Sequence, residues 1–255
     1  MRGGLARRIT VIDSLRQAYP DLIVLDGGDF GEAAIGFDVW KTAELFKVMQ
    51  FLRFDAIGLG ERDLAPAFFE EVAKSAGGEI LLNGNWRPAV ELGIAPIKLI
   101  ERASCKVGVV EAVSPFLQQG QAAATKDSRT FFQEQLAALK EQNADVIVAI
   151  YHGPANEALA LRQSFPEVDL WLLSHGIYMP LNQILTDEGP LVAGPGNRGR
   201  EVGVIVLQKD KNNGARSATF SQIILDARIL DSPKAAPWRE RFLIHRHPAA
   251  AGDER

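Results

Sequence analysis

Apolar residues along this chain follow two alternating patterns. In some stretches they recur every three or four positions, the period of an amphipathic helix, and between these stretches stand short continuous apolar runs typical of buried strands. The first helical stretch carries Leu5, Ile9, Ile12 and Leu15, and Pro20 follows its last turn. Further helices are expected after Asp38, at 66–75, around 132–139 and at 156–164, and strands at 22–25, 56–59, 80–82, 97–101, 107–112, 146–150 and 170–173.

This alternation predicts an α/β fold. Strands that alternate with helices form a largely parallel sheet with helices on its faces. Beyond residue 176 the pattern changes to strands alone, at 181–186, 190–193, 201–208 and 217–226, so we expect antiparallel members and a second sheet. From about Asp231 the composition becomes rich in Pro, Ala and Arg. We therefore expect one domain over 1–228 and a C-terminal tail, partly disordered, over 229–255.

Composition and charge exclude several classes of function. The chain has 255 residues, with 28 Lys plus Arg against 32 Asp plus Glu, and this acidic balance argues against a nucleic-acid partner, which normally requires a basic excess. No apolar run approaches the roughly 18 residues of a membrane span. The single cysteine, Cys105, excludes an internal disulfide framework and a zinc site with several cysteines. Four histidines remain as candidate ligands: His152, His175, His245 and His247.

Four strand ends carry residues that can bind a metal. In open α/β sheets, ligands bind just beyond the carboxyl ends of the strands. The loops after residues 25, 59, 150 and 173 supply Asp29, Glu61, His152 and His175. Taken singly, each is as readily a turn residue, a solvated residue or a strand-end residue. Taken together, two carboxylates and two imidazoles at one sheet edge predict a site for a divalent transition metal.

Six segments carry a family resemblance in their order and spacing. Residues 3–8 read Gly-Gly-Leu-Ala-Arg-Arg, residues 25–30 read Leu-Asp-Gly-Gly-Asp-Phe, and the segments 54–60, 145–153, 168–175 and 194–203 complete the set. Over about 3–226 the chain resembles the calcineurin-like metallophosphoesterases, in particular their 5′-nucleotidase branch. The resemblance implies a four-layer α-β-β-α sandwich of two mixed sheets flanked by helices. It also implies metal-dependent hydrolysis of a small phosphate-ester substrate, with nucleotides as candidates.

The chain departs from the family pattern at several metal positions. The family's first strand carries Asp-x-His, and this chain begins after that point, so we expect an N-terminus that lacks this strand. The family's Gly-Asn-His-Glu/Asp motif corresponds to 60–63, with Glu61 at the metal-ligand Asn and Arg62 at the catalytic His. The second His of the family's Gly-His-x-His motif is Ile177 here. The resemblance thus implies that a single metal site remains, formed by the four residues at the strand ends.

The cofactor and the other site residues are expected from the same pattern. We expect one divalent ion, Mn²⁺, Zn²⁺ or Fe²⁺, and no second metal site. Arg62 and Asp63 are the expected catalytic residues, and Arg62 either holds a phosphate oxygen or forms an ion pair with Glu61 or Asp63. Asn83 and Asn85 follow the strand at 80–82 and either orient substrate or form a plain turn.

The retained and the lost residues leave more than one function open. The leading hypothesis is a divergent, 5′-nucleotidase-like phosphoesterase of weak activity with one metal site. The alternative is a catalytically impaired relative that binds a metal or ligand, or that serves as an interaction module. An unrelated α/β small-molecule binding domain is a third hypothesis. The resemblance implies a periplasmic or extracytoplasmic location, although no apolar signal segment opens this sequence.

Overall fold

In the computed structural model, helices and strands largely alternate over the described residues between 5 and 173, apart from one pair of consecutive strands at 97–101 and 106–113. The structure describes residues 2–31, 39–63, 78–103, 105–117, 124–175, 191–194, 196, 198–210 and 212–246. Within these ranges the helices are α1 (Leu5–Ala18), α2 (Val39–Phe51), α3 (Arg87–Glu91), α4 (Ser128–Glu141), α5 (Ala155–Ser164) and α6 (Ala236–Arg246). The strands are β1 (Leu25–Asp26), β2 (Ala56–Gly58), β3 (Leu81–Leu82), β4 (Ile97–Glu101), β5 (Lys106–Val113), β6 (Val146–His152), β7 (Leu170–Leu173), β8 (Leu191–Ala193), β9 (Glu201–Lys209) and β10 (Arg216–Ile224). Short 3-10 turns cover Gly78–Ile80, Pro115–Leu117 and Pro233–Ala235.

Most expected elements match the observed ones where both can be compared, but the strand expected at 22–25 is observed as β1, which begins at Leu25 and ends at Asp26. The strand expected at 170–173 is confirmed with the same bounds, and the paired strands expected at 97–101 and 107–112 are confirmed as β4 and β5. The helix expected at 66–75, the strand expected at 181–186 and the cap expected at Asp38 lie outside the described residues. Over the part that is described, no helix combines the length and the apolar character needed to cross a bilayer.

The described strands form three hydrogen-bonded sheets. β1, β2 and β3 are parallel neighbours in that order. β4 to β8 form a five-stranded sheet in which the β4–β5 pair is antiparallel and the other pairs are parallel. β9 and β10 form an antiparallel hairpin. The α/β class is therefore confirmed, while the four-layer sandwich of two mixed sheets stays a prediction.

Apolar side chains pack in three clusters that join these sheets to the helices. Phe46 of α2 packs with Ile57 of β2, and Phe132 of α4 packs with Trp171 of β7. The third cluster combines Ala56 of β2 with apolar residues of β5, β6, β7 and the hairpin, so it lies between the sheets. Because successive side chains of a strand point to opposite faces, Ala56 and Ile57 belong to different clusters. The carboxyl ends of β1, β2, β6 and β7 are held in place by this packing.

The segment 230–246, which falls in the expected tail, packs on α2. The rings of Trp238 and Phe51 have centroids 4.9 Å apart, and those of Phe242 and Trp40 have centroids 5.4 Å apart. Trp238 and Phe242 stand four residues apart and so share one face of α6. The surrounding Pro, Ala and Arg residues hide this helical signal in the sequence. The boundary at residue 228 and disorder beyond it stay predictions.

A buried carboxylate fastens the hairpin to the five-stranded sheet. Asp169, just before β7, is fully buried. It accepts hydrogen bonds from the Ile147 amide at 2.8 Å, from Lys209 Nζ at 2.9 Å and from Arg216 Nε at 2.5 Å. Lys209 ends β9 and Arg216 begins β10, so one carboxylate binds both strands. These partners offset the desolvation that a buried carboxylate otherwise costs.

A second buried carboxyl, on Glu111 of β5, lacks such partners. It is fully buried against Gly58 of β2, where an added Cβ would lie 2.8 Å from Glu111 Cγ. Among the described residues, neither carboxyl oxygen has a hydrogen-bond partner. Burial raises the pKa of Glu111 well above its usual value, an effect that the charge of His152 and the nearby Leu59 amide oppose and that the charge of Asp63 reinforces.

Replacing Asp169 with alanine should destabilise the whole domain. The variant leaves the Ile147 amide buried without an acceptor and releases both hairpin strands, so we expect the free energy of unfolding to fall by about 3 kcal/mol. Urea unfolding at neutral pH measures this loss. Glu91→Ala, which removes an exposed helical ion pair with Arg87, is the matched control and should change little. A loss no larger than that of the control would contradict the role of Asp169.

Replacing Glu111 with glutamine should flatten the pH dependence of stability. A carboxyl with a raised folded pKa adds full stability below its ordinary pKa of 4.5, and this stability is lost as the pH rises toward the folded value. We expect the wild type to lose stability relative to Glu111→Gln from about pH 5 upward, by at most about 1.4 kcal/mol per pH unit. Urea unfolding of chelator-treated protein at several pH values checks this. Glu101→Gln, on the exposed end of β4, is the control, and equal slopes for wild type and Glu111→Gln would refute the prediction.

Candidate metal centre

Four side chains meet where β1, β2, β6 and β7 end. Asp29 and Glu61 lie on the loops after β1 and β2, His152 is the last residue of β6, and His175 lies just beyond β7. The parallel registers of β1 with β2 and of β6 with β7 bring these ends together. One potential ligand atom from each residue lies within 4.8 Å of the others. The structure thus brings together the four residues, and their role as metal ligands stays a prediction.

The spacing of these four groups fits a metal site. His152 Nε2 lies 2.7 Å from Glu61 Oε2 and 3.5 Å from Asp29 Oδ2. His175 Nδ1 lies 3.3 Å from Glu61 Oε2 and 3.2 Å from His152 Nε2. Nitrogen and oxygen ligands that are about 2.1 Å from a tetrahedral ion stand about 3.4 Å from one another. The cluster therefore has the size and the donor types that suit one divalent transition metal.

His152 is anchored through the ring nitrogen that faces away from the cluster. Its Nδ1 lies 2.9 Å from the carbonyl oxygen of Gly27. Because a carbonyl oxygen only accepts hydrogen bonds, Nδ1 carries a proton and donates it. Nε2 is then directed at the carboxylates of Asp29 and Glu61. An imidazole whose other nitrogen donates to a carbonyl is the usual form of a metal-binding histidine.

Charges within the cluster stabilise one another. Burial lowers the pKa of His152, but hydrogen bonds with Asp29 and Glu61 outweigh burial and raise this pKa well above its usual value. Burial raises the pKa of each carboxyl, but the hydrogen bond and charge of His152 outweigh it and leave the pKa values of Asp29 and Glu61 below their usual range. Both carboxylates are therefore ionised, and the space between them favours positive charge.

The backbone at the site combines a glycine with a strained aspartate. A Cβ on Gly60 would lie 2.3 Å from Asp29 Oδ1 and 2.7 Å from His152 Nε2, so no side chain fits there. Asp29 has a φ of 58°, a left-handed conformation that is uncommon for residues other than glycine, although aspartate adopts it more readily than most. Such strain persists only where the surrounding contacts enforce it. The contacts that hold Asp29 are therefore part of the site.

Asp63 supplies several of those contacts from inside the protein. Its buried carboxylate accepts hydrogen bonds from the backbone amides of Asp29, of Gly31 at 2.9 Å and of Gly60 at 3.1 Å. It thereby joins the loop after β1 to the loop after β2. Burial, reinforced by the charge of Asp29, raises the pKa of Asp63 to about 7. These contacts support a positioning role, and a catalytic role for Asp63 stays a prediction.

Arg62 lies at the rim of the site, with 53% of its side chain exposed. Its backbone N–H donates to Asp29 Oδ1 at 3.0 Å, and its Nε lies 3.6 Å from Asp29 Oδ2. Of the roles that the sequence leaves open, the ion pair is present, but its partner is Asp29 rather than Glu61 or Asp63. An ion pair this exposed contributes little stability, so the guanidinium can exchange Asp29 for another anion.

Asn83 and Asn85, the expected substrate-binding residues, are buried in the turn after β3. Asn83 Oδ1 accepts a hydrogen bond from the Trp86 amide at 3.0 Å. Asn85 Oδ1 accepts from the Val113 amide at 3.0 Å, and its Nδ2 donates to the Val113 carbonyl at 2.7 Å. Asn85 thus ties this turn to the end of β5, which favours the turn alternative for it. Over the described residues, Nδ2 of Asn83 has no acceptor.

The sequence analysis missed one polar residue that contacts the cluster. Ser174 lies between β7 and His175, and its Oγ is 3.0 Å from His152 Nδ1. Its position directly before a candidate ligand, at a strand end, is the only sequence signal that points to it. That signal gives no indication of which neighbouring side chain the hydroxyl contacts.

Comparison with known proteins finds relatives of this chain among the 5′-nucleotidases. No protein-family model matches the chain. Among curated proteins, the human 5′-nucleotidase is 25% identical over 260 residues, which cover 91% of this chain and 45% of that protein. The snake venom 5′-nucleotidase of Crotalus adamanteus is 28% identical over 186 residues, which cover 68% of this chain and 32% of that protein. The chain thus spans less than half the length of these relatives.

A solved structure shares the fold over nearly the whole length of both chains. The calcineurin-like phosphoesterase YfkN from Bacillus subtilis superposes with a TM-score of 0.75 at 18% identity, covering 96% of this chain and 90% of that chain. At this identity the likeness establishes the fold alone. The chain is thus similar in sequence to 5′-nucleotidases and in fold to a calcineurin-like phosphoesterase, which bears out the resemblance that its motifs carry.

Proposed function

We propose that this chain is a metal-dependent phosphoesterase domain. In this proposal it hydrolyses small phosphate esters, with nucleotides as candidates, at a single divalent-metal site. The ion is Mn²⁺, Zn²⁺ or Fe²⁺ and is held by the four residues at the strand ends: Asp29, Glu61, His152 and His175. The activity is weak, because the position of the family's catalytic histidine holds Arg62.

The convergence of the four ligand atoms carries this proposal. They come from four separate strand ends, yet lie within 4.8 Å of one another. The two carboxylates and two imidazoles suit a transition metal better than Mg²⁺ or Ca²⁺, which prefer oxygen ligands. Ester hydrolysis is supported by the 5′-nucleotidase relatives and by the phosphoesterase fold. Because the chain spans 45% of the length of the human 5′-nucleotidase, a nucleotide substrate is carried over to this chain as a proposal.

The residues of the site have separate proposed roles. A bound divalent ion supplies a Lewis acid that polarises a phosphoryl oxygen and lowers the pKa of water. Asp63 holds the loop of Asp29 next to the loop of Glu61 through hydrogen bonds, and the Gly27 carbonyl orients His152. Arg62 at the rim binds a phosphate oxygen when the ester displaces Asp29 from its guanidinium.

Leaving-group chemistry limits which esters this site can hydrolyse. A guanidinium such as that of Arg62 stabilises negative charge but is too weak an acid to serve as a general acid. Esters whose leaving group needs no protonation, such as nitrophenyl esters, are therefore favoured over alkyl phosphates. Asn83, whose Nδ2 has no acceptor among the described residues, is the better candidate of the two asparagines to orient substrate.

Metal binding can be measured without any substrate. We expect isothermal titration with Mn²⁺ to give one site per chain. His152→Ala should weaken binding by at least about 100-fold, since loss of a hydrogen bond to a ligand alone costs about 10–100-fold. His245→Ala, on α6, is the matched control and should bind like the wild type. Absence of binding, or binding that His152→Ala leaves unchanged, would remove the proposed site.

Hydrolysis separates the leading function from its alternative. With Mn²⁺, we expect slow turnover of p-nitrophenyl phosphate or bis-p-nitrophenyl phosphate, and slower turnover of AMP. His175→Ala should reduce this activity to background, because it removes one of the four proposed ligands. Metal binding without turnover would instead favour a binding module. The pairing of Arg62 with Asp29 is the observation that favours this alternative.

A further inference from the structure

The hydroxyl of Ser174 lies beside His152, at the ring nitrogen that faces away from the cluster. Its Oγ is 3.0 Å from His152 Nδ1 and 3.3 Å from the Tyr151 carbonyl oxygen. The Ser174 amide donates to the same Tyr151 carbonyl at 3.2 Å. Ser174 is the residue directly before His175, so it ties the backbone that carries His175 to the end of β6.

The direction of each hydrogen bond follows from the acceptors present. The carbonyl of Tyr151 can only accept, so the Ser174 hydroxyl donates its proton there. The carbonyl of Gly27 can only accept, so His152 Nδ1 carries the ring proton. Ser174 Oγ is then a second acceptor for that same N–H. The proton of Nδ1 is shared between Gly27 and Ser174.

The loop after β1 is shaped around this serine. A Cβ added to Gly27 would lie 2.2 Å from Ser174 Cβ and 3.0 Å from its Oγ. The absence of a side chain at position 27 therefore lets the Gly27 carbonyl and the Ser174 hydroxyl approach the same ring nitrogen. The two acceptors together restrict rotation of the His152 ring about its Cβ–Cγ bond.

We propose that Ser174 is a positioning residue for His152, and through it for the separation of the two histidine ligand atoms. Ser174 holds the ring so that His152 Nε2 faces Asp29 and Glu61, and it fixes the start of the loop that carries His175. The 3.2 Å between His152 Nε2 and His175 Nδ1 is set by this arrangement. The proposal rests on the proposed metal site for its functional consequence, but the hydrogen bond itself is testable without metal.

Ser174→Ala removes the acceptor beside His152 Nδ1 together with the hydroxyl donor to the Tyr151 carbonyl. Ser114→Ala is the matched control, because Ser114 also lies at a strand end beside His152 and its amide donates to the His152 carbonyl at 2.8 Å. Its hydroxyl, however, donates to Glu157 Oε2 at 2.7 Å rather than to the imidazole. Each variant loses one donated and one accepted side-chain hydrogen bond at the same sheet edge, so they should lose similar stability.

Two measurements distinguish the variants. In metal-free, ¹⁵N-labelled protein, NMR follows exchange of the His152 Nδ1 proton with solvent, with His152→Ala providing the assignment. We expect Ser174→Ala to exchange about fivefold faster than wild type, and Ser114→Ala to match wild type. Titration with Mn²⁺ should then show roughly tenfold weaker binding for Ser174→Ala alone.

Each outcome supports or overturns the proposal. If exchange in Ser174→Ala equals that in Ser114→Ala, the hydrogen bond does not hold the ring and the proposal fails, whether or not metal binds. If exchange is faster but Mn²⁺ affinity is unchanged, Ser174 does not position the ligand, and the proposal also fails. If the wild type binds no metal, the proposed function fails and the positioning role toward an ion falls with it, while faster exchange still supports the hydrogen bond.

Discussion

The buried imidazole of His152 is the contact on which the candidate site depends. One ring nitrogen donates to the Gly27 carbonyl, and the other lies 2.7 Å from Glu61, so a single ring joins the end of β6 to the loops after β1 and β2. A fully buried imidazolium without partners would be unfavourable, and so would two adjacent carboxylates without a positive charge. His152, Asp29 and Glu61 therefore stabilise one another's charged forms. Loss of His152 removes the charge that both carboxylates face, whereas loss of one carboxylate leaves His152 paired with the other.

The unfavourable backbone conformation in this site is stabilised by a group outside the cluster of four residues. The left-handed backbone at Asp29 is enforced by Asp63, whose carboxylate binds amides from both loops. The two buried carboxyls of the other sheet show a contrast. Asp169, at the opposite ends of the strands, is fully paired and stabilises the hairpin, whereas Glu111, close to His152, has no hydrogen-bond partner among the described residues. The left-handed backbone at Asp29 and the buried carboxyl of Glu111, both unfavourable for stability, thus lie near the candidate site. Such features are expected where function rather than stability determines which residue occupies a position.

The strand-end positions of the site residues could be predicted from the sequence, but the hydrogen bonds that hold the surrounding residues could not. The edge rule identifies Asp29, Glu61, His152 and His175 because parallel strands bring their carboxyl ends together, and the register of β6 with β7 bears this out. Burial of Asp63 and the bonds of Asn85 depend on contacts between residues distant in sequence, which a local pattern does not contain. Helix α6 was hidden for another reason: the composition around its two packing aromatics is typical of a tail.

A carboxylate at position 61 changes how much charge the site can hold. The family resemblance places a neutral asparagine there, whereas Glu61 adds a second ionised group beside Asp29. A divalent ion with two carboxylates and two neutral imidazoles forms a neutral set, which is the least costly one to keep half-buried. Among the described residues, these four form the one group of three or more His, Cys, Asp or Glu side chains that could hold an ion. The charge balance therefore supports the proposal of one ion, with Arg62 as the rim cation that attracts an anionic ester.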